Sequence, residues 1–137
     1  MYPSEITEPI RDEVKALGLT QLTTEAEVEA ALKQPGTALV FVNSVCGCAA
    51  GGARPGLALA LTGSAKKPSR ITTVFAGVDR EATNKARSFF AEYPASSPSA
   101  CLLKDGEPVW VLHRHQIEGR MPAQIAEAFS KAFAQHC

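Results

Sequence analysis

The sequence predicts an α/β domain of three layers, with helices on both faces of a mixed central sheet. Three observations carry that reading. TALVFVN, residues 37 to 43, is a continuous apolar and β-branched run, the pattern of a strand covered on both faces. ITTVFAG, residues 71 to 77, is a second such run, and the Ala- and Leu-rich stretch between them suits a crossover helix. Further on, Ala100 to Leu103 and Val109 to Leu112 flank Asp105-Gly106, the signature of an antiparallel hairpin at the sheet's edge.

The elements follow in order. Ile6, Ile10, Val14 and Leu17 recur at helical spacing, and Gly18 makes a natural stop. Thr24 and Glu27 form a capping box for a short helix carrying Val28, Ala31 and Leu32, which Pro35-Gly36 ends. After the first strand, Arg54 to Leu61 is helical, with Pro55 accommodated in the first turn or at a kink. Asp79 is placed to cap a helix through about Glu92, with Ala82, Ala86, Phe89 and Phe90 inward. The Pro- and Ser-rich YPASSPS leads into the hairpin, and a final helix from about Pro122 carries Ile125, Ala128, Phe129, Ala132 and Phe133 at core spacing. From residue 37 the order β-α-β-α-β-β-α resembles that of thioredoxin. Residues 1–137 form one domain in this reading, with 1–36 an N-terminal helical extension and 37–137 the thioredoxin-like core.

Composition narrows the partners. The 137 residues suffice for one sizeable core, and 45% hydrophobic with 20% charged is an ordinary globular balance. Fourteen basic and fourteen acidic residues cancel, so no global field draws nucleic acid or acidic membranes. The early acids and the lack of an apolar stretch in MYPSEITEPIRDEV argue against a signal peptide, and no run has the length of a membrane helix. The expected address is the cytoplasm, where thiols stay reduced and a close cysteine pair is more often catalytic or metal-binding than structural.

That pair is Cys46-Gly47-Cys48, in VNSVCGCAAG at residues 42 to 51. It lies where the first buried strand gives way to a helix, at the carboxyl end of the strands, where α/β sheets gather their chemistry. A helix N-terminus favours thiolate over thiol, and cysteines so placed titrate between roughly 3.5 and 7.5. A disulfide across a single glycine closes a small ring, whose strain makes it easy to reduce, and Gly47 supplies backbone freedom for it. Two other readings stay open. Both thiols fit a buried core, and two thiolates bind zinc or copper(I), although a closed zinc site needs four ligands and only His113, His115 and His136 are at hand. Cys101 falls in a strand and reads as core packing, whereas Cys137 is a spare thiol or one that reaches the Cys46 region or another chain.

Pro98 stands just before the hairpin, where the thioredoxin layout has a cis-proline lying against the reactive cysteines and positioning the partner peptide. The remaining motifs are weak. GxGxxG is absent, Gly51-Gly52 with Gly56 lacks the ending of a phosphate loop, and His113-Arg114-His115 reads as a solvated strand end before it reads as a ligand pair.

VNSVCGCAAG, ARP at residues 53 to 55, VFAG at 74 to 77, EAT at 81 to 83, SSPS at 96 to 99, RH at 114 and 115, IEG at 117 to 119 and the terminal HC together resemble the bacilliredoxin family. The resemblance runs over nearly the whole chain. It implies a thioredoxin-like fold and a cytoplasmic thiol–disulfide oxidoreductase that removes bacillithiol from S-thiolated proteins, with an associated weak disulfide isomerase activity. Cys46 is then the nucleophile and Cys48 the resolving or disulfide partner. Gly47, Arg54 and Pro98 flank the substrate, with Arg54 orienting the loop, attracting an anionic thiol or making a structural salt bridge. Cys137 is an accessory thiol. No bound cofactor is implied. Bacillithiol or a related low-molecular-weight thiol is co-substrate, and that thiol or a dedicated reductase resets the pair. A zinc or copper module and a redox-sensing protein are the alternatives, and the chain is a monomer or a homodimer. Cys101 and the loop Gly119-Arg120-Met121-Pro122 depart from the family pattern and bear on substrate preference.

Overall fold

The computed structural model describes residues 2–137. Thr37–Asn43 forms the central strand β2, buried at every position as its apolar run requires. Arg70–Phe75 (β3) lies parallel to it on one side and Ser99–Lys104 (β4) antiparallel on the other. Glu107–Leu112 (β5) completes the hairpin. Asp105 (φ 54°) and Gly106 (φ 83°) both adopt positive φ at its tip, as a two-residue turn matched to sheet twist demands. The fifth strand lies inside the expected helical extension. Thr20–Gln21 (β1) pairs with β3, giving the order β1-β3-β2-β4-β5, so the chain before residue 37 contributes to the sheet as well as carrying helices. Two residues are too short for a periodicity to register, and the strand is held instead by Leu19 and Leu22, which are buried in opposite faces of the core.

Five helices flank the sheet: Ser4–Ala16 (α1), Glu25–Leu32 (α2), Arg54–Gly63 (α3), Arg80–Ser88 (α4) and Pro122–His136 (α5). Alternation along β2 sorts the layers. Leu39 and Phe41 pack with α3, α5 and Val14 of α1, whereas Ala38, Val40 and Val42 pack with α2 and α4. The α3–α5 contact is close at Gly56, where a Cβ would stand 2.6 Å from the Ile125 side chain and 3.1 Å from the Pro122 carbonyl. The capping box forms as expected, with Thr24 Oγ1 accepting from the Glu27 amide at 3.2 Å.

Several expectations need correction. Ile6 does not join the inner stripe of α1; it is 47% exposed, and Thr7 is buried in its place. Asp79 stands at the N-cap of α4 without capping it, because its carboxylate is taken by Arg11 through two hydrogen bonds of 2.7 and 2.9 Å. The helix α4 ends at Ser88, short of Glu92, and Phe90 enters the core from the turn that follows. Among the described residues, no helix is long and apolar enough to cross a membrane.

Candidate active site

The strand directions bring three loops to one end of the sheet. β2 ends there at Asn43, β4 begins there at Ser99, opposite Val42, and β5 ends there at Leu112, opposite Ala100. The thiol segment, the loop holding Pro98 and the turn starting at Arg114 are therefore neighbours. The Ser97–Pro98 bond is cis, and Pro98 is buried beside the end of β2.

The helix after β2 starts earlier than Arg54. Helical backbone begins at Gly47, passes through a wide turn at Ala49–Ala53, where the hydrogen bonds span one extra residue, and runs on into α3. Wide turns of this kind gather at functional sites, and this one ends beside Pro55, which has no amide to donate. Cys46 is thus the residue from which the helix departs. Its carbonyl accepts from the Ala49 and Ala50 amides at 3.1 and 3.3 Å, and its own amide donates to Ser44 Oγ at 3.2 Å.

The two sulfurs are 2.7 Å apart, both are free thiols, and both are partly buried. Their surroundings are unequal. Burial pushes the Cys46 thiol up, but donation by the Cys48 thiol, the Ala49 amide, the Ser44 hydroxyl and the Cys48 amide outweighs it, and Cys46 falls below the usual thiol value. Cys48 is raised by burial, by its hydrogen bond to Cys46 and by that neighbour's charge, with Arg114 pulling the other way. Of the two thiols, Cys46 is the more readily ionised and Cys48 the less.

Arg54 is only 3% exposed, so it is not placed to meet a ligand from solvent. Its Nη1 donates to Asn43 Oδ1 at 3.0 Å and to the Ser44 carbonyl at 2.9 Å. Its Nε faces Glu13 Oε2 at 3.1 Å, an ion pair too bent to count as a hydrogen bond. Asn43 Oδ1 also accepts the Ser44 amide at 2.9 Å. Of the roles expected for Arg54, loop orientation by an internal salt bridge fits this geometry and attraction of an anionic thiol does not. Gly47 is exposed, its φ is not positive, and a Cβ there would meet nothing within 4 Å. The reduced pair therefore does not require glycine at that position.

Cys101 is fully buried and its thiol is pushed up to about 12, as core packing implies. Cys137 does not reach Cys46 within the chain. The first turn of α5 stands near the thiol helix, at Gly52 and Gly56, and fifteen helical residues carry the chain about 22 Å away before Cys137 packs against the core. His113 and His115 lie beyond the end of β5 and stack on each other at 5.4 Å, with Tyr93 at 6.0 Å from His113. Among the described residues no group of three or more His, Cys, Asp or Glu stands at metal-binding distance.

Sequence reasoning overlooked Asn43, Ser44 and Glu13 as supports of the thiol loop, and it did not single out Arg114 at the site. Only the position of Asn43-Ser44 between the strand and the cysteines offered a signal. Arg114 donates from Nη1 to the Ser97 carbonyl at 3.1 Å, pairs through Nε with Glu118 and lies within electrostatic range of both thiols.

Comparison with known proteins agrees with this picture. The sequence model of the family described as Disulphide isomerase matches residues 2–137. A bacilliredoxin of Halalkalibacterium halodurans is 49% identical over 136 residues, 99% of this chain and 93% of its own length. A bacilliredoxin of Cytophaga hutchinsonii is 51% identical over 126 residues, 92% of this chain and 93% of its own. The chain belongs to the bacilliredoxin family. Solved structures place the bacilliredoxin backbone among thioredoxin folds. Mitochondrial thioredoxin 3 of Saccharomyces cerevisiae superposes with a TM-score of 0.59 at 18% identity, covering 86% of this chain and 95% of the thioredoxin. Oxidised thioredoxin of Plasmodium falciparum gives 0.54 at 17% identity, over 84% and 98%. Family and fold together make this bacilliredoxin a thiol–disulfide oxidoreductase.

Proposed function

We propose that this protein reduces mixed disulfides between protein cysteines and a low-molecular-weight thiol, bacillithiol in the first place, with Cys46 as nucleophile and Cys48 as resolving thiol. The asymmetry of the pair carries the reading: the thiol at the helix start is the more readily ionised, and its partner the less. The Cys46 thiolate attacks the small thiol's sulfur. A Cys46–small-thiol disulfide forms, the original S–S bond breaks, and the target thiolate leaves and takes a proton from solvent.

The second step is gated by the first. Once Cys46 is bonded to the small thiol, its negative charge is gone, and with it two of the influences that hold the Cys48 proton. Burial still opposes ionisation of Cys48, but the pull of Arg114 remains. Cys48 then ionises more readily and attacks Cys46 Sγ, which releases the small thiol and leaves a Cys46–Cys48 disulfide. An external thiol or a dedicated reductase returns the pair to the dithiol, in keeping with a cytoplasmic address. No bound cofactor enters this cycle. The same Cys46 thiolate attacking a protein disulfide begins isomerisation, the activity for which the matching family is described.

The test is intact-mass analysis after the reduced protein meets a bacillithiolated target. Cys48→Ala should accumulate the adduct on Cys46, and Cys46→Ala should form none. An adduct on Cys46→Ala with none on Cys48→Ala reverses the roles. Turnover that survives Cys46→Ala favours a thioredoxin-like sensor over a catalyst.

A further inference from the structure

Arg54, buried and committed to Asn43, Ser44 and Glu13, leaves the recognition of a charged small thiol to another residue. Arg114 is the candidate. It opens the turn after β5, at the sheet end that carries the thiols, and its side chain is 45% exposed. Three contacts anchor it: Nη1 to the Ser97 carbonyl at 3.1 Å, its amide to Ser96 Oγ at 3.3 Å, and Nε to Glu118. Nη2 has no partner among the described residues. The Ser97 carbonyl precedes Pro98, and Ser99 faces Val42, four residues before Cys46. The guanidinium is therefore tied to the Pro98 loop on the β5 side, at the sheet end that carries the thiols, and it feels the charge of both.

A mixed disulfide offers Cys46 two sulfurs. Attack on the small thiol's sulfur forms the Cys46–small-thiol bond and expels the protein thiolate. Attack on the protein's sulfur forms a disulfide between the two proteins and expels the small thiolate. The thiolate alone does not distinguish them. A cation at the thiol end of the sheet does, because a carboxylate on the small-thiol half binds there and brings that half's sulfur to the nucleophile.

We infer that Arg114 is the carboxylate subsite for the small-thiol half of the mixed disulfide and directs Cys46 to that half's sulfur. This rests on the function proposed above and deepens it. Glu118 takes Nε and the Ser97 carbonyl takes Nη1, which leaves Nη2 for the incoming carboxylate.

The experiment uses one target protein thiolated at the same cysteine with bacillithiol, glutathione or 2-mercaptoethanol, of which only the first two carry carboxylates. Adducts are trapped in a Cys48→Ala background and read by rate and intact mass. Arg114→Gln should slow both carboxylate-bearing targets by about tenfold more than the mercaptoethanol target, the scale of one charge-assisted hydrogen bond. It should also move part of the adduct from the small thiol to the target protein. Arg114→Lys should recover part of the discrimination, since it keeps the charge without the fork. Alkylation of Cys46 by neutral iodoacetamide reports any general change in the thiolate, and normalising to it guards against a merely structural effect. Equal slowing of all three targets, or none, overturns the subsite while Cys46 keeps its role. No Cys46 adduct from any target with Arg114 intact overturns the parent reading and the subsite with it.

Discussion

At the residue scale the site is a division of labour between two identical side chains two positions apart. Cys46 gathers donors from Cys48, Ala49 and Ser44, and Cys48 sits against the charge so created. The sign of each substitution follows. Cys48→Ala removes a donor to the thiolate, so the alkylation midpoint of Cys46 should move up. Cys46→Ala removes a negative neighbour, so the midpoint of Cys48 should move down, though burial still holds it back. Iodoacetamide rates against pH measure both, and a Cys46 midpoint in Cys48→Ala that stays where it is with Cys48 present would refute the division. Cys101 should stay unreactive in the folded protein throughout, with its thiol at about 12. The pair and its place were legible because a strand ending in cysteines before a helix is a local pattern. The burial of Arg54 was not, since an arginine three residues past Gly51 reads the same in sequence whether it faces water or the loop.

At the element scale the decisive feature is where the thiol helix begins. The sequence pattern places its start near Arg54, but the helical backbone starts at Gly47 and passes through the wide turn at Ala49–Ala53. Nothing local in Ala-Ala-Gly-Gly-Ala distinguishes a wide turn from an ordinary one; tertiary packing does. Gly52 and Gly56 face α5, with a Cβ 3.1 Å from Ile125 at the first and 2.6 Å at the second. Gly56→Ala should therefore destabilise the protein by about 1–3 kcal/mol through overpacking. Gly47→Ala, with open space around its Cβ, should change the stability of the reduced protein by less than about 0.5 kcal/mol. Denaturant unfolding under reducing conditions separates them. Equal losses would mean that the α3–α5 contact yields easily and does not set the helix path. The strands β2 to β5 were legible because long apolar runs and an Asp-Gly turn carry their own signal. The strand β1 was not, because its pairing is decided by β3 alone.

At the scale of the whole molecule, α1 ties the layers to the site through two ion pairs with different destinations. Arg11 holds Asp79 at the start of α4 and lies 5.2 Å over the Phe75 ring, on the β3 side of the sheet. Glu13 holds Arg54, and through it Asn43 and Ser44, on the thiol side. Removing either anion should cost stability. The Arg11–Asp79 pair is mostly buried, and Asp79→Asn should cost about 1–2 kcal/mol. Glu13 is 46% exposed, so solvent screens its share, but its loss leaves a guanidinium that is 3% exposed without an anion, and Glu13→Gln should cost about 1–3 kcal/mol. Only the second change should reach the chemistry. Freed of Glu13, Arg54 holds the Ser44 carbonyl less firmly. The Ser44 hydroxyl then serves the Cys46 thiolate less well, and the Cys46 alkylation midpoint should rise. Asp79→Asn leaves that path intact and should not move the midpoint. Measuring unfolding and alkylation on both variants distinguishes a helix that braces the fold from one that also sets the nucleophile. If Glu13→Gln lowers stability while Cys46 titrates as before, the brace is structural alone. If both variants raise the midpoint, loss of stability as such loosens the thiol loop, and the Glu13–Arg54 link has no special part in it.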